Sequence, residues 1–123
     1  MQLSKNFNSV EFDCKDGTEV PADLMPNLRA LVEQLQALRD ALGEPVRVLS
    51  GYRTKSHNKA VGGASQSQHL LAKAADITVK SKSPKQLKDF IENLITDGKV
   101  KFGGIGLYAG FVHVDIRKNK ARW

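Results

Sequence analysis

The sequence contains a single cysteine, Cys14, and no apolar run of the roughly 20 residues that a membrane-spanning helix needs. One cysteine cannot form an internal disulfide, so nothing in the chain requires an oxidising compartment. We expect Cys14 to be a small buried thiol. The first residues, Met1 to Lys5, lack the apolar segment of a signal peptide, and we therefore expect synthesis in the cytoplasm without an export signal.

Aromatic residues are few, at 7%, and neither repeats nor low-complexity segments occur. Hydrophobic residues at 41% and charged residues at 26% are ordinary for one globular domain of 123 residues and argue against a disordered chain. The formal net charge of +6 favours anionic partners such as nucleic acid, anionic lipid or an acidic bacterial wall. No nucleic-acid reader motif accompanies this charge, so we expect no specific nucleic acid partner and a basic surface that is mainly solvated.

Two segments show the apolar periodicity of amphipathic helices. The first runs from about Pro21 to Leu42 and stops at Gly43, and its apolar stripe comprises Leu28, Leu31, Val32, Leu35, Leu38 and Leu42. The second opens at Ser83-Pro84 and stops at Asp97-Gly98, and its buried face comprises Leu87, Phe90, Ile91, Leu94 and Ile95. The first helix is predicted to be scaffold.

The remaining segments are predicted to be an arm, strands and one short helical turn. The arm covers about residues 1–20, with a turn through Phe12 capped by Asn8 or Ser9 and with Phe7, Val10 and Phe12 as anchors to the core. The strands are predicted at 46–50 and 74–79 and in a hairpin of 102–108 and 111–116, and the helical turn at 55–60. We therefore expect an α+β fold, an antiparallel sheet with helices packed against it, in one domain spanning 1–123.

Two histidines and an aspartate lie in segments that favour a metal site. His69 precedes Asp76 by seven residues, and His113 lies on an alternating strand. Asp115 shares the face of that strand with His113, while Val112, Val114 and Ile116 form the opposite, apolar face. Two imidazoles and one carboxylate suit a catalytic zinc ion, which keeps a fourth position open for water.

Seven short motifs follow one another along the chain. They are Ser50-Gly51-Tyr52-Arg53-Thr54, His57-Asn58, Val61-Gly62-Gly63-Ala64, Ser67-Gln68-His69-Leu70, Ala74-Ala75-Asp76-Ile77, Gly103-Gly104-Ile105-Gly106 and Phe111-Val112-His113-Val114-Asp115. With these motifs the chain, over roughly residues 3–123, resembles the zinc D-Ala-D-Ala carboxypeptidase family of bacterial wall peptidases, whose fold is related to the hedgehog signalling domain. It is most similar to compact stand-alone domains of phages and prophages.

The resemblance implies a zinc-dependent hydrolase of peptide bonds in peptidoglycan. His69, Asp76 and His113 match the ligands of one zinc ion, Arg53 matches the arginine that steadies the substrate carbonyl or oxyanion, and Ser67 matches a polar residue beside the first ligand. Tyr52 and Tyr108 are core or groove-lining aromatics, with substrate contact as the alternative. Carboxypeptidase and endopeptidase activities, D,D or L,D, are all compatible with the family.

The chain departs from many relatives at two positions. Where they carry an acidic general base, three residues before the last histidine ligand, this chain has Gly110, which has no side chain to accept a proton. Asp115 is the first substitute and His57 the second, although Asp115 has the alternative role of orienting His113 or pairing with Arg53. The other departure is an alanine, Ala72, where relatives often carry glycine.

The missing acid keeps a second function open, a non-catalytic zinc-containing module that binds the wall. For the enzyme we expect a monomer that acts on the wall after phage lysis or as a virion component, because no export signal would carry it there.

Overall fold

The computed structural model describes residues 1–123 and contains three α-helices and one five-stranded sheet. The helices are α1 (Met25–Leu42), α2 (Lys55–Ala60) and α3 (Pro84–Thr96), and the strands are β1 (Arg47–Ser50), β2 (Ala74–Thr78), β3 (Gly104–Leu107), β4 (Val112–Asp115) and β5 (Ala121–Arg122). Short 3-10 turns cover Ser9–Phe12, Ala22–Leu24 and Gln68–Leu71. The α+β prediction is confirmed.

Both long helices end where the sequence predicts and α3 also begins there, whereas α1 begins at Met25, after a separate 3-10 turn, and not at Pro21. Gly43 ends α1 in the left-handed conformation at φ +69°, which glycine adopts without a steric penalty. At the start of α3, the side chains and backbone amides of Ser83 and Gln86 cap each other reciprocally. The apolar stripe of α1 is buried except for half-buried Leu42, and together with Leu87, Ile91 and the sheet residue Ile77 it forms a single hydrophobic core.

The N-terminal arm is attached to this core by two of the three predicted anchors. Phe7 and Phe12 are fully buried, whereas Val10 is 67% exposed, so its predicted anchoring role is wrong. The turn directs Val10 outward because a 3-10 turn cannot bury both Val10 and Phe12 on one side. At its end the Phe12 carbonyl accepts a hydrogen bond from the Tyr52 amide at 2.8 Å.

The sheet brings residues that are distant in sequence into one row. Its strand order is β1-β2-β4-β3-β5, antiparallel throughout except for the parallel pair of β3 and β5. In the register Ser50 is opposite Asp76, Asp76 is opposite His113, and Ala74 is opposite Asp115. Cross-strand neighbours lie within about 5.5 Å of each other, so this register alone places Asp76 against His113.

Two features of the fold are absent from the sequence predictions. One is β5, and the other is the 3-10 turn Gln68–Leu71, which carries His69. This turn ends at Ala72, whose φ of +56° lies in the left-handed region that favours glycine. None of the helices is both long enough and apolar enough to cross a membrane.

Candidate metal centre and cleft

Three buried side chains converge at the base of a surface cleft. The Asp76 Oδ1 atom lies 3.2 Å from His69 Nε2 and 3.2 Å from His113 Nδ1. The three residues are between 2% and 6% exposed. The structure therefore brings together the three side chains that the sequence predicts as metal ligands.

Hydrogen bonds hold both the ring and the backbone of His69. Its Nδ1 lies 2.7 Å from the Gly51 carbonyl oxygen, which is an acceptor only, so the ring proton sits on Nδ1 and the Nε2 lone pair faces Asp76. The Ser67 hydroxyl accepts a hydrogen bond from the His69 amide at 3.2 Å and caps the 3-10 turn. The Arg53 amide donates to the His69 carbonyl at 3.0 Å. Ring and backbone are both fixed.

His113 is oriented by a carboxylate behind it. Its Nε2 donates to the Oδ2 atom of Asp115 at 2.7 Å, so its Nδ1 is the atom that faces Asp76. Asp115 is fully buried and also accepts two hydrogen bonds from the Arg117 guanidinium, at 2.8 and 2.7 Å. An added Cβ at Gly104 would collide with the Asp115 carboxylate, so this position in β3 must lack a side chain.

Both carboxylates of the centre are ionised at neutral pH. Burial alone would raise the pKa of Asp76, but the His113 and His69 rings, each 3.2 Å away, outweigh it and lower this pKa to about 2. Burial likewise opposes ionisation of Asp115, and hydrogen bonds from His113 and Arg117 hold the pKa of this carboxyl well below its usual range. Asp76 can therefore offer a carboxylate oxygen to a cation.

When both imidazoles are neutral, none of the inner atoms of the centre is a hydrogen-bond donor, and these atoms then fit a metal ion. With the outer ring nitrogens donating to Gly51 and Asp115, neutral His69 and His113 present lone pairs, and so does Asp76. Acceptors that face one another need a proton or a cation between them. Two imidazole nitrogens and one carboxylate oxygen are a donor set for zinc and similar ions, and their hydrogen-bonded outer atoms are typical of metal sites.

Arg53 positions the carboxylate of the centre. It donates from Nη2 to Asp76 Oδ2 at 3.2 Å, from Nη1 to Asn58 Oδ1 at 3.3 Å and from Nε to Ser50 Oγ at 3.2 Å. With Oδ2 engaged by Arg53, Oδ1 is left for the two histidines. The side chain of Arg53 is 15% exposed and lines the cleft.

The cleft has a volume of about 690 Å³ and two different walls. One part of the lining is the segment from Val61 to Gln68, which is rich in glycine, serine and glutamine, and another is formed by the aromatic residues Tyr108, Phe111 and Trp123. The Tyr108 and Phe111 rings stack at 4.6 Å, and the Trp123 indole N–H donates to the Tyr108 hydroxyl at 2.8 Å. Apart from Asp76, the charged groups that line the cleft are Arg53 and Arg117, so the cleft suits an anionic ligand.

Sequence reasoning missed Phe111 and Arg117 of the cleft lining and, above all, the wall residue Trp123. Its ring lies 4.9 Å from the His113 ring and 5.1 Å from the Arg117 guanidinium carbon, and its backbone pairs with Ile105 and Leu107 of β3. A Cβ at Gly106 would lie 2.5 Å from the indole, so the glycine makes room for it. Gly106 belongs to the glycine-rich segment before the hairpin turn, which is the signal that could have indicated a close approach.

Of the other predicted site residues, Arg53, Ser67 and Tyr108 line the cleft, and three do not. Asp115 lies behind His113, where its geometry favours the orienting role over proton transfer. His57 lies on α2 beside Cys14 and Asp16, outside the cleft lining. Tyr52 packs against the hydrophobic core, because its amide is tied to Phe12 of the arm.

Comparisons with known proteins agree with this geometry. The family model described as peptidase M15 matches residues 5–115. The zinc D-Ala-D-Ala carboxypeptidase of Streptomyces albus G is 36% identical over 72 residues, which are 58% of this chain and 28% of that protein. The matched part of the chain thus spans about 28% of the length of this curated relative.

Proposed function

The chain belongs to the peptidase M15 family, and on that premise we propose that it is a zinc-dependent peptidase of bacterial peptidoglycan. The observation that supports this most is the convergence of three lone-pair atoms, on His69, Asp76 and His113, at the base of an open cleft. These residues would hold one zinc ion, the metal that the Streptomyces relative carries in its name. When bound, zinc polarises a carbonyl oxygen and lowers the pKa of water towards neutrality.

Arg53 can donate hydrogen bonds to a substrate while it keeps its three existing hydrogen bonds. A guanidinium has one N–H on Nε and a pair on each Nη, and Ser50, Asn58 and Asp76 take one from each nitrogen. One N–H on each Nη therefore remains for a carbonyl oxygen or a developing oxyanion. A well-placed donor of this kind contributes about 3–4 kcal/mol to transition-state stabilisation.

The charge of the cleft favours cleavage near a free carboxylate. Arg117 lines the cleft and is 30% exposed at its side chain, although Asp115 already holds two of its N–H groups. Arg53 and Arg117 can together attract the terminal carboxylate of a stem peptide, as carboxypeptidase activity requires. We therefore place D,D-carboxypeptidase activity ahead of the endopeptidase alternatives.

A phage or prophage lysin is the biological role we propose for this activity. The resemblance to compact phage-type domains supports it, and the net charge of +6 would assist approach to an anionic wall at low salt.

One feature of the cleft favours a second candidate, a zinc-containing module that binds the wall without cleaving it. Asp76 is the only carboxylate that lines the cleft, and its oxygens already face the two histidines and Arg53. A separate carboxylate that could accept a proton from water is not part of the lining. General-base catalysis requires a group within hydrogen-bond reach of that proton.

The test is digestion of purified peptidoglycan, with the released fragments identified by mass spectrometry. The parent is expected to release defined fragments and Asp76→Asn to release none, while Asp89→Asn, which removes an exposed carboxylate on α3, serves as the matched control. Intact walls with the parent, together with stoichiometric zinc and retention of the protein on the walls, would favour the binding module.

Gly110 allows a further distinction between the two candidates. An added Cβ there meets no atom within 4 Å, so Gly110→Glu can be accommodated. If the parent binds walls without cleaving them and Gly110→Glu cleaves, the missing acid is the reason for inactivity. If the parent already cleaves and Gly110→Glu does not raise the rate, the proton acceptor is another group.

A further inference from the structure

A second group of metal-ligating side chains lies outside the cleft, where the arm meets α2. Cys14, Asp16 and His57 each offer one ligand atom, and these atoms lie within 4.8 Å of one another. Cys14 is buried, His57 is half-buried and Asp16 is exposed, so the cluster opens to solvent on its carboxylate side. None of the three residues lines the cleft.

Thr54 holds the two sides of this cluster together. Its hydroxyl donates to Asp16 Oδ2 at 2.8 Å and accepts a hydrogen bond from the His57 amide at 3.2 Å. The Cys14 sulfur lies 3.9 Å from the same hydroxyl. On the arm side, the Thr18 amide donates to Asp16 Oδ1 at 2.9 Å, which fixes the carboxylate within its own turn. The backbone on both sides is thus ordered before any ligand binds.

The side chains of Cys14 and His57 make few polar contacts within the protein. The His57 ring makes no hydrogen bond to the protein, and the thiol of Cys14 has only weak contacts, with the Thr54 hydroxyl at 3.9 Å and with the Asp16 carboxylate. A thiolate, an imidazole and a carboxylate together are a ligand set for zinc and neighbouring divalent ions. Ligand atoms around tetrahedral zinc lie about 3.3–3.6 Å apart, so the cluster would contract by about 1 Å through side-chain rotation.

We propose that Cys14, Asp16 and His57 form a second site for a divalent, thiolate-binding ion such as Zn²⁺ or Co²⁺. The ion would link the N-terminal arm, through Cys14 and Asp16, to α2, through His57. The arm also supports the cleft, because an added Cβ at Gly51 would lie 2.7 Å from Phe12 Cα, and the Gly51 carbonyl orients His69. The site has a structural role and does not depend on peptidase activity.

Cobalt distinguishes this site from the cleft because only this site has a sulfur ligand. The experiment adds Co²⁺ to the metal-free His113→Ala variant and records the thiolate-to-cobalt charge-transfer band in the near ultraviolet. We expect the band to saturate at one equivalent and to disappear in His113→Ala combined with Cys14→Ser. In the parent we expect two equivalents of bound metal, and one after His57→Ala. Absence of the band from the His113→Ala variant would overturn the proposal.

A second measurement covers the case in which a variant at buried Cys14 is unstable. Zn²⁺ should raise the thermal midpoint of the His113→Ala variant, and the shift should be lost after Asp16→Asn, an exposed change that leaves the thiol in place. An equal shift in Asp16→Asn would exclude the three-residue site. Cleavage of peptidoglycan by Cys14→Ser tests the proposed peptidase function alone, because we expect cleavage to persist whether or not the second metal site exists. Absence of the cobalt band from the His113→Ala variant therefore contradicts only the second site, and absence of cleavage by the parent contradicts only the peptidase.

Discussion

Asp115 on β4 either orients His113 or accepts a proton during the reaction, and the variant Asp115→Asn separates these two roles. The carboxylate is fully buried, receives the Nε2–H of His113 and is held by two hydrogen bonds from Arg117. An asparagine of the same shape presents only one oxygen, and its amide N–H groups meet donors from His113 or Arg117. The His113 ring is then no longer fixed with Nδ1 towards Asp76.

The expected loss has two parts. Removing an orienting partner of a histidine ligand lowers metal affinity about 10–100-fold, which corresponds to about 1.4–2.7 kcal/mol. Leaving a buried charge without its partner costs about 3–5 kcal/mol in stability when both groups are buried. Arg117 is 30% exposed at its side chain and can turn to water, so we expect the free energy of unfolding to fall by only about 1–3 kcal/mol.

The assay is zinc affinity by competition with a chromophoric chelator, followed by turnover at saturating zinc. Both measurements are carried out in a Cys14→Ser background, so that only the cleft site contributes to zinc binding. Asp89→Asn is the control for loss of a carboxylate. An orienting role predicts weaker zinc binding with turnover largely restored once zinc is saturating. Unchanged zinc affinity together with abolished turnover would refute this reasoning and make Asp115 the proton acceptor.

Two further predictions concern the end of the chain that forms the aromatic wall. Gly106→Ala should displace the Trp123 ring, because the added Cβ would lie 2.5 Å from it, and overpacking of this kind costs about 1–3 kcal/mol. Trp123 is the only tryptophan, so its fluorescence emission should shift to the red, while Gly110→Ala, with no atom within 4 Å of the new Cβ, should leave the spectrum unchanged. Glu92 pairs with Arg122 of β5, and its hydrogen bonds with Arg122 lower its pKa. A lowered pKa stabilises the fold above the ordinary glutamate pKa and less as the pH falls. Urea unfolding of Glu92→Gln should therefore show a deficit of less than about 1 kcal/mol at pH 7 that shrinks as the pH falls below the ordinary glutamate pKa.

The sequence predicts those parts of the fold that local chemistry determines. The stripe of α1, its end at Gly43 and the cap of α3 at Ser83 each depend on residues within a few positions, and all are confirmed. The three side chains of the metal centre are also predictable, because histidines and an aspartate between apolar segments need partners. What brings them together is the register of β2 and β4, which follows from the burial of their apolar residues.

The parts that escaped prediction depend on contacts between distant segments. The strand β5 has two residues, and it exists because Ala121 and Trp123 pair with backbone groups of Gly103, Ile105 and Leu107. No periodicity can appear over so short a stretch. The position of His57 away from the cleft is of the same kind, since the arm, distant in sequence, occupies the neighbourhood of α2.

The metal centre and the proton acceptor are separate properties of this fold. The lone pairs of His69 and His113 face inward because Gly51 and Asp115 take their outer N–H groups, and neither interaction involves Gly110. A chain can therefore keep its metal site intact while the acid at position 110 is absent. Metal content alone supports the enzyme and the binding module equally, so only cleavage products, compared between the parent and Gly110→Glu, distinguish them.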